Sequence, residues 1–249
     1  MTSEKRIDPL LNMETVGGGK RTAATKRLYA FKPYIGQKLG QELVDSGIPL
    51  DQQKFLNYSN VNKQEAFELM GYSWTGWVVL YKDLNGNPYL HNGKPFYRFK
   101  PDAGQLTGDK PAKYLSAKGS GCRPYFSPFL DVKELKSGKN IIITEGEKKT
   151  DSLTINGFPT VGIAGVDCWR DGRSTDMLPE LEAINWRGRN VFILFDSDVV
   201  IKDSVKRALK ALACKLTEKG SNVRVVTLPC DLDGTKNGAD DFLVKYGSE

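Results

Sequence analysis

Two short apolar runs in this chain end in carboxylates. Ile141-Ile142-Ile143 leads through Thr144 to Glu145-Gly146, and Val191-Phe192-Ile193-Leu194-Phe195 runs straight into Asp196-Ser197-Asp198. On extended backbone, residues two apart point to the same side, so Asp196 and Asp198 can present their oxygens together. Carboxylates held that close repel one another unless a cation neutralises them. Oxygen ligands with no histidine or cysteine close by in the sequence suit Mg²⁺ or Mn²⁺ rather than zinc. A divalent ion held this way stabilises the charge of phosphoryl transfer. Glu145 is open to two readings, a third ligand or a general base with a pKa raised by burial. The Asp-Ser-Asp segment is also good turn and N-cap chemistry, a plainer reading that stands beside the metal site.

The elements that must position these groups alternate from Lys139 onward. The strand at Ile141–Thr144 precedes a helix over Glu147–Ile155. Gly157-Phe158-Pro159 turns into a strand at Thr160–Ala164, and a short helix around Met177–Ile184 leads to the strand Val191–Phe195. The next helix carries Val205, Ala208, Leu209, Leu212, Ala213 and Leu216 on one face and stops at Gly220; Val223–Leu228 is the last strand. Repeated strand-helix alternation with all-apolar strands predicts an α/β protein with a parallel sheet covered by helices on both faces. In such sheets sites form beyond the carboxyl ends of the strands, where Glu145, Asp196 and Asp198 stand.

The preceding region reads as a smaller α+β unit. Gln37–Asp45 is a helix ended by Ser46-Gly47 and Pro49. Asn62 caps a helix through Met70 that buries Ala66, Phe67 and Met70 and stops at Gly71. Trp77–Tyr81 and Pro95–Lys100 are strands flanking a turn at Asn85-Gly86-Asn87. The stretch 102–128 interleaves basic and aromatic residues. Lys113, Tyr114, Arg123 and Tyr125 could hold phosphates and stack bases of a single strand, or serve as packing beneath surface charge. Val16-Gly17-Gly18-Gly19-Lys20-Arg21 fails as a phosphate-binding loop, because Glu14 stands where the first Gly is needed and Arg21 follows Lys20. Residues 1–36 therefore read as a basic N-terminal arm, 37–138 as the α+β region and 139–249 as the α/β domain.

The formal net charge of +6 suits a polyanionic partner without requiring one. Four dispersed cysteines and one histidine form no zinc-finger spacing, so no zinc is expected. No run is long and apolar enough to span a membrane, and the polar start is no signal peptide. The expectation is a cytoplasmic protein with reduced thiols and no membrane partner.

Taken in order, Glu145-Gly146, Asp196-Ser197-Asp198 and Lys236-Asn237-Gly238-Ala239-Asp240-Asp241-Phe242-Leu243 resemble the toprim domain shared by bacterial primases, topoisomerases and some nucleases. The Glu-Gly-Glu-Lys-Lys variant is similar to that of phage and plasmid replication proteins. Lys113-Tyr114-Leu115-Ser116 and Arg123-Pro124-Tyr125-Phe126 resemble that group's N-terminal part. The resemblance runs from about Gly71 and is densest over 141–243. It implies that Glu145, Asp196 and Asp198 bind catalytic Mg²⁺, with Asp240 or Asp241 adding a carboxylate and one of the two capping the last helix. Glu147 is then solvated or paired with a lysine. Lys148 and Lys149 face a nucleoside triphosphate or a solvated helix face, and Arg170, Arg173 and Lys236 contact phosphate. The implied activity is primer synthesis on single-stranded DNA by a replication enzyme of a mobile element. A metal-dependent nuclease and a non-catalytic single-strand-binding module partnering a helicase are the alternatives. No primase zinc module and no helicase P-loop accompany these motifs, so template recognition would differ or come from a partner, and any unwinding partner would be another chain or a missing segment.

Overall fold

The computed structural model describes residues 33–102, 106–107, 110–111, 113–172, 174–196, 203–229 and 237–248. Residues 1–32 of the basic arm, Asp198, Arg173 and Lys236 lie outside the described residues. From Pro33 onward the chain forms one compact unit.

Helix α1 (Gln37–Asp45) buries Leu39, Gly40 and Leu43. Gly47, at φ 76°, supplies the left-handed turn that lets the Ile48 amide donate back to the Leu43 carbonyl. After the short α2 (Leu50–Gln53), strand β1 (Tyr58–Val61) leads into α3 (Lys63–Met70). Asn62 and Glu65 form the expected reciprocal cap, and Gly71 ends the helix in the left-handed region. The buried face differs from expectation. Leu69 packs inside with Ala66 and Met70, while Phe67 is 60% exposed.

Strands β2 (Gly76–Leu80), β3 (Leu90–His91), β4 (Lys94–Pro95) and β5 (Tyr97–Pro101) follow, then the short β6 (Leu106–Thr107), β7 (Lys110–Pro111) and β8 (Leu115–Ser116). The first sheet has the order β1-β2-β5-β8 and is antiparallel throughout. Along β5 burial alternates strictly, which places Arg98 and Lys100 on one face.

The second sheet is built from β9 (Tyr125–Phe126), β10 (Asn140–Glu145), β11 (Thr160–Ile163), β12 (Asn190–Leu194) and β13 (Asn222–Val226), in the order β13-β12-β10-β11-β9. Four of these strands are parallel, as the apolar runs predict. The edge strand β9 is antiparallel to β11, so the sheet is mixed rather than purely parallel. A two-residue strand has no periodicity that would separate it from loop. The helices α4 (Val132–Ser137), α5 (Glu147–Ile155), α6 (Pro179–Glu182), α7 (Asp203–Glu218) and α8 (Ala239–Tyr246) complete the fold. Leu212 and Leu216 of α7 cover the face carrying Ile141, Ile143, Val191 and Ile193. Leu153 of α5 and Ala239 of α8 cover the face carrying Ile142 and Leu194. The larger cluster also runs through Leu39, Tyr58, Trp77 and Val79, so both sheets share one core.

Helix α5 is the joint. Its sequence is polar, yet Glu147, Thr150, Asp151, Ser152, Leu153 and Thr154 are all buried. The tyrosines of the neighbouring strands make this tolerable, because a buried carboxylate needs hydrogen bonds. The Tyr58 hydroxyl donates to Asp151 at 2.9 Å and that of Tyr125 at 3.0 Å, while Tyr81 donates to Glu147 at 2.5 Å. Burial pushes the Asp151 carboxyl up to about 7, against the pull of Ser127, Tyr58 and Tyr125. The folded state thus keeps a proton that the unfolded chain releases near pH 4. This residue's contribution to stability is full at low pH and falls as pH rises towards 7, with a slope of about 1.4 kcal/mol per pH unit at its steepest. Urea unfolding of wild type and Asp151→Asn from pH 4 to 8 is expected to show that extra fall in wild type alone. Equal slopes would contradict the assignment.

Candidate active site

Thr144 of β10 lies opposite Leu194 of β12, and its hydroxyl donates to the Leu194 carbonyl at 2.7 Å. This register brings Glu145, the last residue of β10, and Asp196, two residues past the end of β12, to the same edge of the sheet. Gly146 then turns the chain into α5 at φ 98°, a conformation that would strain any side-chain-bearing residue. Its amide donates to the Ile163 carbonyl on β11, which fixes the turn against the sheet.

From the first turn of α5, the Lys149 ammonium donates to Asp196 Oδ1. Asp240, in the first turn of α8, is 7% exposed. A Cβ placed on Gly238 would stand 2.6 Å from Asp240 Oδ1 and 2.9 Å from Lys149 Cε, so these two side chains converge on the space that a glycine leaves open. Burial alone would depress the Lys149 pKa. Asp196 foremost, then Asp240 and Glu145, outweigh it and hold the ammonium above the ordinary lysine value. Asp240 itself is raised by burial, with Lys149 opposing. Geometry separates the adjacent aspartates of α8. Asp241 accepts the Gly238 amide at 2.9 Å and caps the helix, whereas Asp240 faces Lys149.

The remaining sequence-predicted residues divide. Lys148 does not face open solvent; its ammonium donates to Glu42 of α1 at 3.1 Å, a carboxylate that Lys100 also contacts. Burial would raise Glu42, but Lys100 and Lys148 together bring it below the usual range. Glu147 is neither solvated nor paired with a lysine. It is 2% exposed, hydrogen-bonded by Tyr81, with Arg98 Nε at 3.8 Å. Arg170 is held within its own loop by Asp167 at 2.9 Å and lies over the Trp169 ring. Arg123 donates to the Cys122 carbonyl at 2.7 Å. Tyr125 is a core residue, 1% exposed with its hydroxyl on Asp151, so its ring offers no face to a base.

Lys113 and Tyr114 do share a cleft of about 440 Å³ with Lys38, Trp77 and Lys100. The Arg98 guanidinium and the Lys100 ammonium lie over the Tyr114 ring at 5.6 and 5.9 Å. Sequence reasoning missed Arg98 and Lys100. The period-two alternation of Tyr97-Arg98-Phe99-Lys100 was the signal that places both on one face.

Among the described residues no three metal-ligating side chains are close enough to form a cluster. The donor chemistry suits a hard divalent cation: Asp196 contacts the Lys149 ammonium, and the charges of Asp240 and Glu145 act on the same group.

The fold is that of primase catalytic cores. The chain superposes on a structure of the Aquifex aeolicus primase comprising its zinc-binding and RNA polymerase domains with a TM-score of 0.57, at 17% identity over 90% of this chain and 57% of that one. A DnaG catalytic core gives a TM-score of 0.56 at 15% identity, covering 84% of this chain and 69% of that one. Residues 133–249 match a family model described as a domain of unknown function, DUF3854. An uncharacterised protein of a Picosynechococcus strain is 28% identical over 121 residues, which are 44% of this chain and 12% of that protein. The gene 57 protein of Mycobacterium phage D29 is 26% identical over 159 residues, 63% of this chain and 76% of that protein. The chain thus spans a small part of the first of these relatives and just over half of the Aquifex structure.

Proposed function

We propose that this chain is a toprim-type nucleotidyltransferase that makes primers on single-stranded DNA during replication of a phage, plasmid or other mobile element. The observation that carries this reading is the placement of Glu145 and Asp196 at one edge of the sheet of a primase-like fold, around the Lys149 ammonium. Glu145, Asp196 and Asp198 are the assigned Mg²⁺ or Mn²⁺ ligands, and Asp240 completes the acidic set from α8. An ion bound there supplies neutralising charge for phosphoryl transfer.

The chain's own groups do the positioning. Lys149 balances the carboxylate charge and keeps Asp196 turned towards the strand ends until a nucleoside triphosphate arrives. Arg173 and Lys236 are assigned to its phosphates; Lys148 and Arg170 would reach them only by leaving Glu42 and Asp167. The reaction joins a 3′-oxygen to the α-phosphorus and releases pyrophosphate. The template runs over the cleft of Lys113, Tyr114 and Lys100, where positive charge meets an aromatic ring, and Arg123 is a further assigned strand contact. The reading places this protein in the cytoplasm beside a helicase partner. No helix among the described residues is long and apolar enough to cross a membrane.

The test offers a single-stranded oligonucleotide and labelled ribo- and deoxyribonucleoside triphosphates with Mg²⁺ or Mn²⁺. Short labelled products on an intact template are expected. Template cleavage with the same metal dependence would move the assignment to a nuclease. Salt-sensitive binding with neither product would leave a binding module in its place.

A further inference from the structure

Outside the carboxylate cluster, two loops bring thiols into contact. Cys122 lies between β8 and β9, Cys168 between β11 and α6, and their sulfurs are 2.6 Å apart and share a hydrogen bond. Gly119 and Gly121, at φ 76° and 69°, form the left-handed turns that carry Cys122 onto its partner. Both cysteines are part-exposed. We propose that Cys122 and Cys168 are an oxidative modification site, a dithiol that peroxide converts to a reversible disulfide.

The environment assigns the roles. The hydrogen bond with Cys168 draws the Cys122 thiol down to about 7, against its burial and the Asp171 carboxylate, with the Arg98 and Arg123 guanidiniums adding to the pull. Cys168 is pushed up by the same hydrogen bond and then by burial. Cys122 is therefore the attacking sulfur. Its thiolate takes one oxygen of hydrogen peroxide, becoming a sulfenic acid as the O–O bond breaks and water leaves. The Cys168 sulfur then attacks Cys122 Sγ, forming the S–S bond and releasing the second water. Two thiols are oxidised and one peroxide is reduced to two waters. Near neutral pH its larger thiolate fraction makes Cys122 the more reactive thiol of the pair. The bond would fasten the loop before the edge strand to the loop after β11, beside the strand end that bears Glu145.

The test treats the full chain with hydrogen peroxide and reads intact mass and peptide linkage, with a dithiothreitol reversal. The expected result is loss of two hydrogens and a Cys122–Cys168 linked peptide, formed ahead of oxidation at the exposed Cys214. Cys168→Ser should stop at a Cys122 sulfenic acid that dimedone traps, with unchanged melting temperature. A Cys122 that stays reduced in both proteins while Cys214 oxidises would overturn the proposal, as would linkage through Cys214. The readout needs no catalytic activity, so it is independent of the proposed nucleotidyl transfer.

Discussion

Asp196→Asn is expected to give a folded protein whose primer synthesis falls on the order of 10²–10⁴-fold, the rate equivalent of several kcal/mol of lost electrostatic stabilisation. Asparagine keeps the shape and one acceptor but removes the charge that the proposed divalent ion would use at the end of β12. Glu145→Gln should lower the rate in the same direction, because it strips the neighbouring strand end. Neither side chain belongs to the apolar core, and Asp196 is 32% exposed, so the loss should appear in turnover and not in folding. Lys149 loses its closest partner in Asp196→Asn but keeps Asp240 and Glu145 in its field. Single-turnover product formation, paired with a melting curve and a strand-binding titration, checks this. Unchanged activity in Asp196→Asn would remove Asp196 from the reaction.

Arg98→Leu is expected to destabilise the fold by about 3–5 kcal/mol, the usual consequence of leaving a buried charge without its partner. Arg98 and Glu147 have side-chain exposures of 12% and 3%. Arg98 also donates to the Ala164 carbonyl at 3.2 Å and lies over Tyr114, so its removal loosens three elements at once. Glu147→Gln keeps the Tyr81 hydrogen bond and should cost less. The double variant should recover part of the loss, because neither charge is then left alone. Denaturant unfolding of the four proteins gives the coupling directly. Additive losses would mean that Arg98 and Glu147 act independently.

Much of the α/β part was legible because buried parallel strands are continuous apolar runs with carboxylates and glycines at their ends. Ile141–Glu145 and Val191–Asp196 announce the sheet and bring Glu145 and Asp196 to one edge of it. What stayed hidden is polar matter that folding buries. Glu147 reads from sequence as solvated or paired with a lysine, yet it and Asp151 are buried, and only the tyrosines at 58, 81 and 125, far away in sequence, make that burial tolerable. The pairing of Lys148 with Glu42 spans 106 residues, and no local pattern encodes it. Tyr125 carries the composition of a stacking residue, but its place on the edge strand turns it inward. The roles of Asp240 and Asp241 separated only when the cap geometry assigned the Gly238 amide to one of them.

The central claim is that Glu145 and Asp196 hold a divalent ion at the strand ends. Titration of Mn²⁺ followed by electron paramagnetic resonance, with and without a nucleoside triphosphate, tests it most directly. The account predicts saturable Mn²⁺ binding to wild type that Glu145→Gln with Asp196→Asn abolishes, although the variant remains folded and still binds single-stranded DNA. Identical Mn²⁺ binding by wild type and the double variant would contradict it.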